Sequence, residues 1–164
     1  MSKDFIRRIL ATDNSFTSLA LRLSAGVIFV AHGAQKLFGS FGGYGLEGTG
    51  QWMASVGLEP GYLMALAAGS AEFFGGLALL VGLLTRPAAL VLAITMLVAI
   101  IAVHLPNGLF MSNNGYEYGL ALLGMSVALL FNGGGKFSLD RRLSRVASED
   151  RSARGRESAL GSTA

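Results

Sequence analysis

The chain has 164 residues, of which 52% are hydrophobic and only 14% charged, with a net charge of +3 and no cysteine. Soluble domains carry about 25% charged residues, so the composition argues against a soluble fold. The missing cysteines exclude disulfides, thiolate metal sites and thiol redox chemistry within the chain. The basic residues are not interleaved with base-stacking aromatics, which argues against nucleic-acid binding.

In chain order, residues 1–17 form an N-terminal segment in which Phe5, Ile6, Ile9 and Leu10 follow helical spacing beside Arg7 and Arg8. That pattern fits a short helix lying on a membrane surface or a frayed arm. The first long apolar run, from Leu19 to Leu37, exceeds a signal-peptide core and is followed by others, so it reads as an uncleaved helix. Apolar segments over residues 18–38, 62–84, 87–104 and 116–132 are each near the length that crosses a bilayer. No Asp, Glu, Lys or Arg occurs from Pro87 to Tyr116 or from Tyr118 to Gly135. Pro87 suits the first turn of the third helix. The Gly-rich stretch between the first two segments holds Gln51 to Val56, a candidate interfacial helix with Trp52 at headgroup level. Residues 141–164 form a basic tail, rich in Ser, Arg and Glu from about Ala147 and expected to be disordered.

The expected fold is therefore all-α, a polytopic membrane four-helix bundle over residues 18–140. Lys3, Arg7, Arg8, Arg86, Lys136, Arg141, Arg142 and Arg145 all fall on one side of such a path. The two intervening loops on the other side, Gly39–Gly61 and Leu105–Gly115, contain no Lys or Arg. Basic loops stay cytoplasmic, so both termini are expected inside.

Charged groups within a bilayer need a partner or a cavity. Glu72 falls near mid-membrane. His32, Lys36, His104 and Glu117 fall in the outer half, and Arg22 alone falls in the inner half. Ala68, Gly69, Gly75 and Gly76 surround Glu72 at helical spacing, and Ala121, Gly124 and Ala128 follow Glu117. Small residues mark close helix contact, so both glutamates are expected to face the bundle. A structural pairing of Glu72 with His32 or Arg22 competes with a ligand site. Lys36 also reads as a residue snorkelling to the interface, His104 as a helix cap, Glu117 as a first-turn acid favoured by the helix dipole, and Arg22 as a headgroup contact. Two histidines without cysteine do not make a closed structural zinc site, and no metal ligand set is assigned.

These residues sit in motifs that resemble a known family. The first segment carries Arg22, Gly26, Phe29 and then His32-Gly33-Ala34-Gln35-Lys36-Leu37-Phe38-Gly39. The second carries Gly69-Ser70-Ala71-Glu72, Gly75-Gly76 and Gly82-Leu83-Leu84-Thr85-Arg86. The fourth opens with Gly115-Tyr116-Glu117-Tyr118, and Gly133-Gly134-Gly135-Lys136-Phe137-Ser138-Leu139-Asp140 follows it. In this order, from about Leu19 to Asp140, they resemble the DoxX family of small four-helix membrane proteins. The resemblance implies a bacterial plasma membrane. Relatives named DoxD are the membrane subunit of a thiosulfate:quinone oxidoreductase, and others are linked with membrane-associated redox-defence assemblies.

Three functions compete. In the first, the chain is a membrane subunit of an oxidoreductase. His32, Lys36, Glu72, His104 and Glu117 then hold a quinone headgroup or small oxyanion, and Glu72, the best catalytic candidate, exchanges protons. Quinone is the cofactor in question, and electrons come from a partner subunit or bound donor. In the second, the chain is a scaffold recruiting soluble enzymes through its tail. In the third it transports a small solute or proton, in which case a homo-oligomer could supply the pathway. The orientation has a direct check: a C-terminal reporter active only outside the cytoplasm stays silent, and strong activity would invert the topology.

Overall fold

The computed structural model describes residue 12 and residues 15–146. The expected N-terminal surface helix over residues 5–10 and the tail from residue 147 lie outside the described residues.

Every regular element among the described residues is helical. Helix α1 (Phe16–Phe38) starts at Ser15, whose hydroxyl accepts the Thr17 N–H, and stops at Gly39 in the left-handed conformation. Helix α2 (Gly45–Ser55) occupies the Gly-rich stretch and is longer than the expected interfacial turn around Trp52. Helix α3 (Gly61–Val81) begins where the Glu59 carboxylate accepts the Gly61 N–H at 3.1 Å, and it ends at Gly82, φ +67°. Helix α4 (Thr85–Ala99) holds Pro87 in its first turn, where a missing N–H costs nothing. It widens into a π turn over Ile100–His104 and tightens into a 3₁₀ turn over Leu105–Asn107, which contains Pro106. Helix α5 (Glu117–Asn132) follows a further 3₁₀ turn, Met111–Asn113. Residues 139–146, expected to start the disordered tail at 141, are instead helical and form α6.

Among the described residues, three segments are long and apolar enough to cross a membrane: Phe16–Phe38, Gly61–Val81 and Thr85–Asn107. Helix α5 is shorter, at 16 residues, or about 24 Å against the roughly 30 Å of a hydrocarbon core.

The long helices form a bundle in which α1 packs along α3, α4 along α5, and the α3–α4 and α1–α5 contacts close the ring. Helix α2 lies against α3 and α1 at one end. The core is built from Ala25, Phe29, Leu79, Ala89, Leu92, Met96, Leu122 and Leu129. Outside it, Val27, Phe74, Val81, Ile94, Ile101 and Phe131 are exposed, the apolar exterior of a bundle whose solvent is lipid.

The small residues around Glu72 mark a helix contact, as expected, and their partner is the small face of α1. A Cβ on Gly33 would overlap the Phe73 backbone, and one on Gly76 would lie 2.7 Å from Val30 N. The series on α5 differs from expectation. Ala121 and Gly124 are exposed, and the buried face is Leu122, Ser126 and Leu129. Nothing lies within 4 Å of a Cβ built on Gly124.

Two substitutions of the same kind therefore diverge. Gly33→Ala forces α1 from α3 and lowers stability by about 1–3 kcal/mol. Gly124→Ala leaves packing unchanged and gains up to about 1 kcal/mol of helix propensity. Melting of both variants in detergent checks this, and equal effects would contradict the packing described.

Candidate functional site

Near the middle of α3, Glu72 is buried against α1, with 3% of its surface exposed. Gly69 and Gly76 flank it on the same face, and their lack of side chains lets α1 approach. Lys36 on α1 reaches this carboxylate: Nζ lies 2.6 Å from Glu72 Oε2, a charge-assisted hydrogen bond. The partner of Glu72 is thus Lys36, and neither His32 nor Arg22 pairs with it.

One turn before Lys36, His32 projects toward α5. Its Nε2 lies 3.5 Å from the Tyr118 hydroxyl, long for a hydrogen bond, and the rings are 5.9 Å apart. Four side chains from α1, α3 and α5 therefore converge: His32, Lys36, Glu72 and Tyr118. Tyr118 was not among the residues singled out from the sequence. Its only signal was its place in the Tyr116-Glu117-Tyr118 motif.

His104 and Glu117 are placed otherwise. His104 Nδ1 lies 2.9 Å from the Asn114 carbonyl, and Glu117 Oε1 accepts the Met111 N–H at 2.6 Å. Both side chains brace the 105–115 loop. That loop also returns Glu117 N–H to Leu109 O and Tyr116 N–H to Gly108 O.

Arg22 lies at the opposite end of the bundle and is 2% exposed. Its guanidinium donates to the carbonyls of Leu79, Leu80, Gly134, Lys136 and Phe137 over 2.6–3.2 Å. Asp140 is 1% exposed at the same end of the bundle. Its carboxylate accepts the Leu84 and Thr85 N–H groups at 2.7 and 2.9 Å, capping α4 from a distant part of the chain. Among the described residues, no three His, Cys, Asp or Glu side chains converge to hold a metal.

The arrangement around Glu72 is chemically versatile. It sets a paired cation and anion beside an imidazole and a phenol. The ammonium and phenol can donate to a carbonyl or an oxyanion, and the carboxylate can accept a proton.

The pair has unequal exposure, with the Lys36 side chain at 23% and that of Glu72 at 4%. Lys36→Met strands a buried carboxylate and costs about 3–5 kcal/mol. Glu72→Gln costs less, because the freed lysine can reach the interface. The double variant recovers part of the Lys36→Met loss. A double-mutant cycle by thermal melting tests the pair, and strictly additive effects would show that the two side chains are not coupled.

The model of the DoxX family matches residues 17–105, the segment holding Arg22, His32, Lys36, Glu72 and His104. The chain is 38% identical over 112 residues to a Bacillus subtilis protein named "Putative oxidoreductase CatD", covering 68% of this chain and 77% of CatD. It is 34% identical over 154 residues to the uncharacterized membrane protein Rv3486 of Mycobacterium tuberculosis, covering 85% and 89% of the two chains. It is 34% identical over 133 residues to the inner membrane protein YqjF of Escherichia coli, covering 77% and 92%. No solved structure matches.

Proposed function

This chain belongs to the DoxX family of membrane proteins, and we propose that it is a membrane subunit of a redox assembly, with a quinone-type headgroup held at His32, Lys36, Glu72 and Tyr118. The observation that carries the reading is the 2.6 Å Lys36–Glu72 bridge set beside the His32–Tyr118 pair. The oxidoreductase in the name of CatD agrees with it. Reducing a quinone to a quinol takes two electrons and two protons. In this reading Lys36 and Tyr118 donate hydrogen bonds to a quinone carbonyl, and Glu72, hydrogen-bonded to Lys36, hands on protons drawn from water at the membrane surface. The electrons come from a separate donor, either a partner subunit or a bound reductant.

In this reading the chain crosses a bacterial plasma membrane four times with both termini in the cytoplasm. The charge distribution supports it. Among the described residues, Arg22, Arg86, Lys136, Arg141, Arg142 and Arg145 all gather at the end of the bundle where α1 and α4 begin. Glu47, Glu59 and Glu117 stand at the other end, beyond Lys36 and Glu72. That polarity is the one that the positive-inside rule selects.

Native mass spectrometry of protein extracted gently from its own membrane tests the site. Quinone is retained by the wild type and lost in Glu72→Gln and in Tyr118→Phe, with Tyr118→Phe melting like the wild type. Full quinone retention in both variants would place any such ligand elsewhere.

A further inference from the structure

At the basic end of the bundle, a cleft of about 400 Å³ opens between the start of α1 and the 136–145 segment. Its walls combine two aromatic rings, Phe16 and Phe137, with four cations: Lys136, Arg141, Arg142 and Arg145. Neither kind of residue alone would identify a ligand. Together they describe an amphiphile with an anionic head.

Three further observations sharpen this. Phe137 is 79% exposed and held at φ +55°, a left-handed conformation that an aromatic residue adopts only under constraint. Its carbonyl is fixed by Arg22 at 2.8 Å, so the ring is turned outward. Lys136 Nζ sits 3.8 Å from the centre of the Phe16 ring, a cation–π contact that holds the ammonium over an apolar surface. On α6, Leu139, Leu143 and Val146 are exposed at 38%, 48% and 64%. Their spacing places them on one face of α6, with Arg142 at its edge and Arg141 and Arg145 on the far side. A basic amphipathic helix tied to the end of a membrane bundle lies in the headgroup plane.

We propose that this cleft is a binding site for an anionic phospholipid, whose phosphate lies between Lys136 and Arg142 and whose acyl chains run along Phe16 and Phe137. The bilayer supplies the ligand directly beside the site. Lys136 and Arg142 beside one headgroup suit a phosphodiester better than a zwitterionic lipid, whose own ammonium would be repelled.

The full chain in detergent, mixed with equal amounts of phosphatidylglycerol and phosphatidylethanolamine, is examined by native mass spectrometry. Phosphatidylglycerol is retained about tenfold more than phosphatidylethanolamine, and Lys136→Gln/Arg142→Gln abolishes the preference. Phe137→Ser weakens retention of phosphatidylglycerol with the wild-type melting temperature preserved, since Arg22 engages only the backbone here. Equal retention of the two lipids would overturn the proposal, and so would a preference that survives the double substitution. Displacement of the lipid by millimolar inorganic phosphate would show a phosphate site in place of a lipid site, and would also overturn it.

Discussion

One buried cation organises the end of this bundle. Helix α3 stops at Gly82, whose N–H bonds the Leu79 carbonyl, and the chain reverses at once into α4, which leaves the last turn of α3 with carbonyl acceptor capacity that the helix no longer fills. In a bilayer, water cannot fill it at low cost. Arg22, projecting from α1, takes the Leu79 and Leu80 carbonyls and with the same group holds Gly134, Lys136 and Phe137. The 133–140 segment is thereby drawn against α1 and the α3–α4 turn. Its glycines are what make the approach possible: a Cβ on Gly134 would sit 2.8 Å from Thr85 Oγ1 and 2.7 Å from Ser138 Cβ. Asp140 completes the closure from the other direction by capping α4 and returning its own N–H to Gly82. The exit from α5 is locked onto the entry to α4.

The two ends of the molecule use charge differently. Arg22 spreads its charge over five hydrogen bonds and is fully enclosed, the condition in which a buried ion serves structure. Glu72 is enclosed as deeply, yet among the described contacts it has one short hydrogen bond, to a lysine whose own side chain is partly open. A phenol and an imidazole stand beside it, held only at 3.5 Å from each other. A cluster with loosely engaged donors near a buried acid can reorganise around a ligand. A guanidinium committed to five carbonyls cannot. This contrast, more than the depth of either residue, separates the functional candidate from the structural one.

Much of this was legible in the sequence, and the exceptions share a cause. The positions of the long helices follow from apolar length, and the small face of α3 around Glu72 follows from Gly69 and Gly76, because those signals lie within a single helix; that α1 covers it is a finding of the structure. What a side chain meets across the bundle depends on how far each helix is rotated, which spacing does not fix. Hence the partner of Glu72 was sought in His32 and Arg22, one turn and one bundle-length away from Lys36. The small-residue series Ala121, Gly124 and Ala128 suggested a buried face that lies about a third of a turn from the observed one. Tyr118 escaped notice because a neutral phenol carries no obvious cost in a membrane, whereas its neighbour Glu117 does. Glu117 and His104 drew attention by their charge, yet their polar atoms are taken up by the 105–115 loop. Asp140 stood in a recognisable motif, but its work is done 55 residues away in sequence.

The geometry also limits how the two ends can influence each other. Lys136 and Phe137 belong to both the knot and the basic cleft, giving carbonyls to Arg22 and side chains to the surface. Arg22 and Lys36 lie on the same helix, 14 residues apart in sequence, or about 21 Å along its axis. Charges in the headgroup layer are screened within roughly 8 Å at physiological salt, so an anion in the cleft would hardly change the field at Glu72. Displacement of the 136–137 backbone is different, because it acts on the residue that joins α1 to the end of α3. These are the two helices whose contact brings Lys36 to Glu72. Any influence of the surface on the polar cluster would therefore have to travel as a shift of α1 against α3, where Gly33 and Gly76 leave almost no slack.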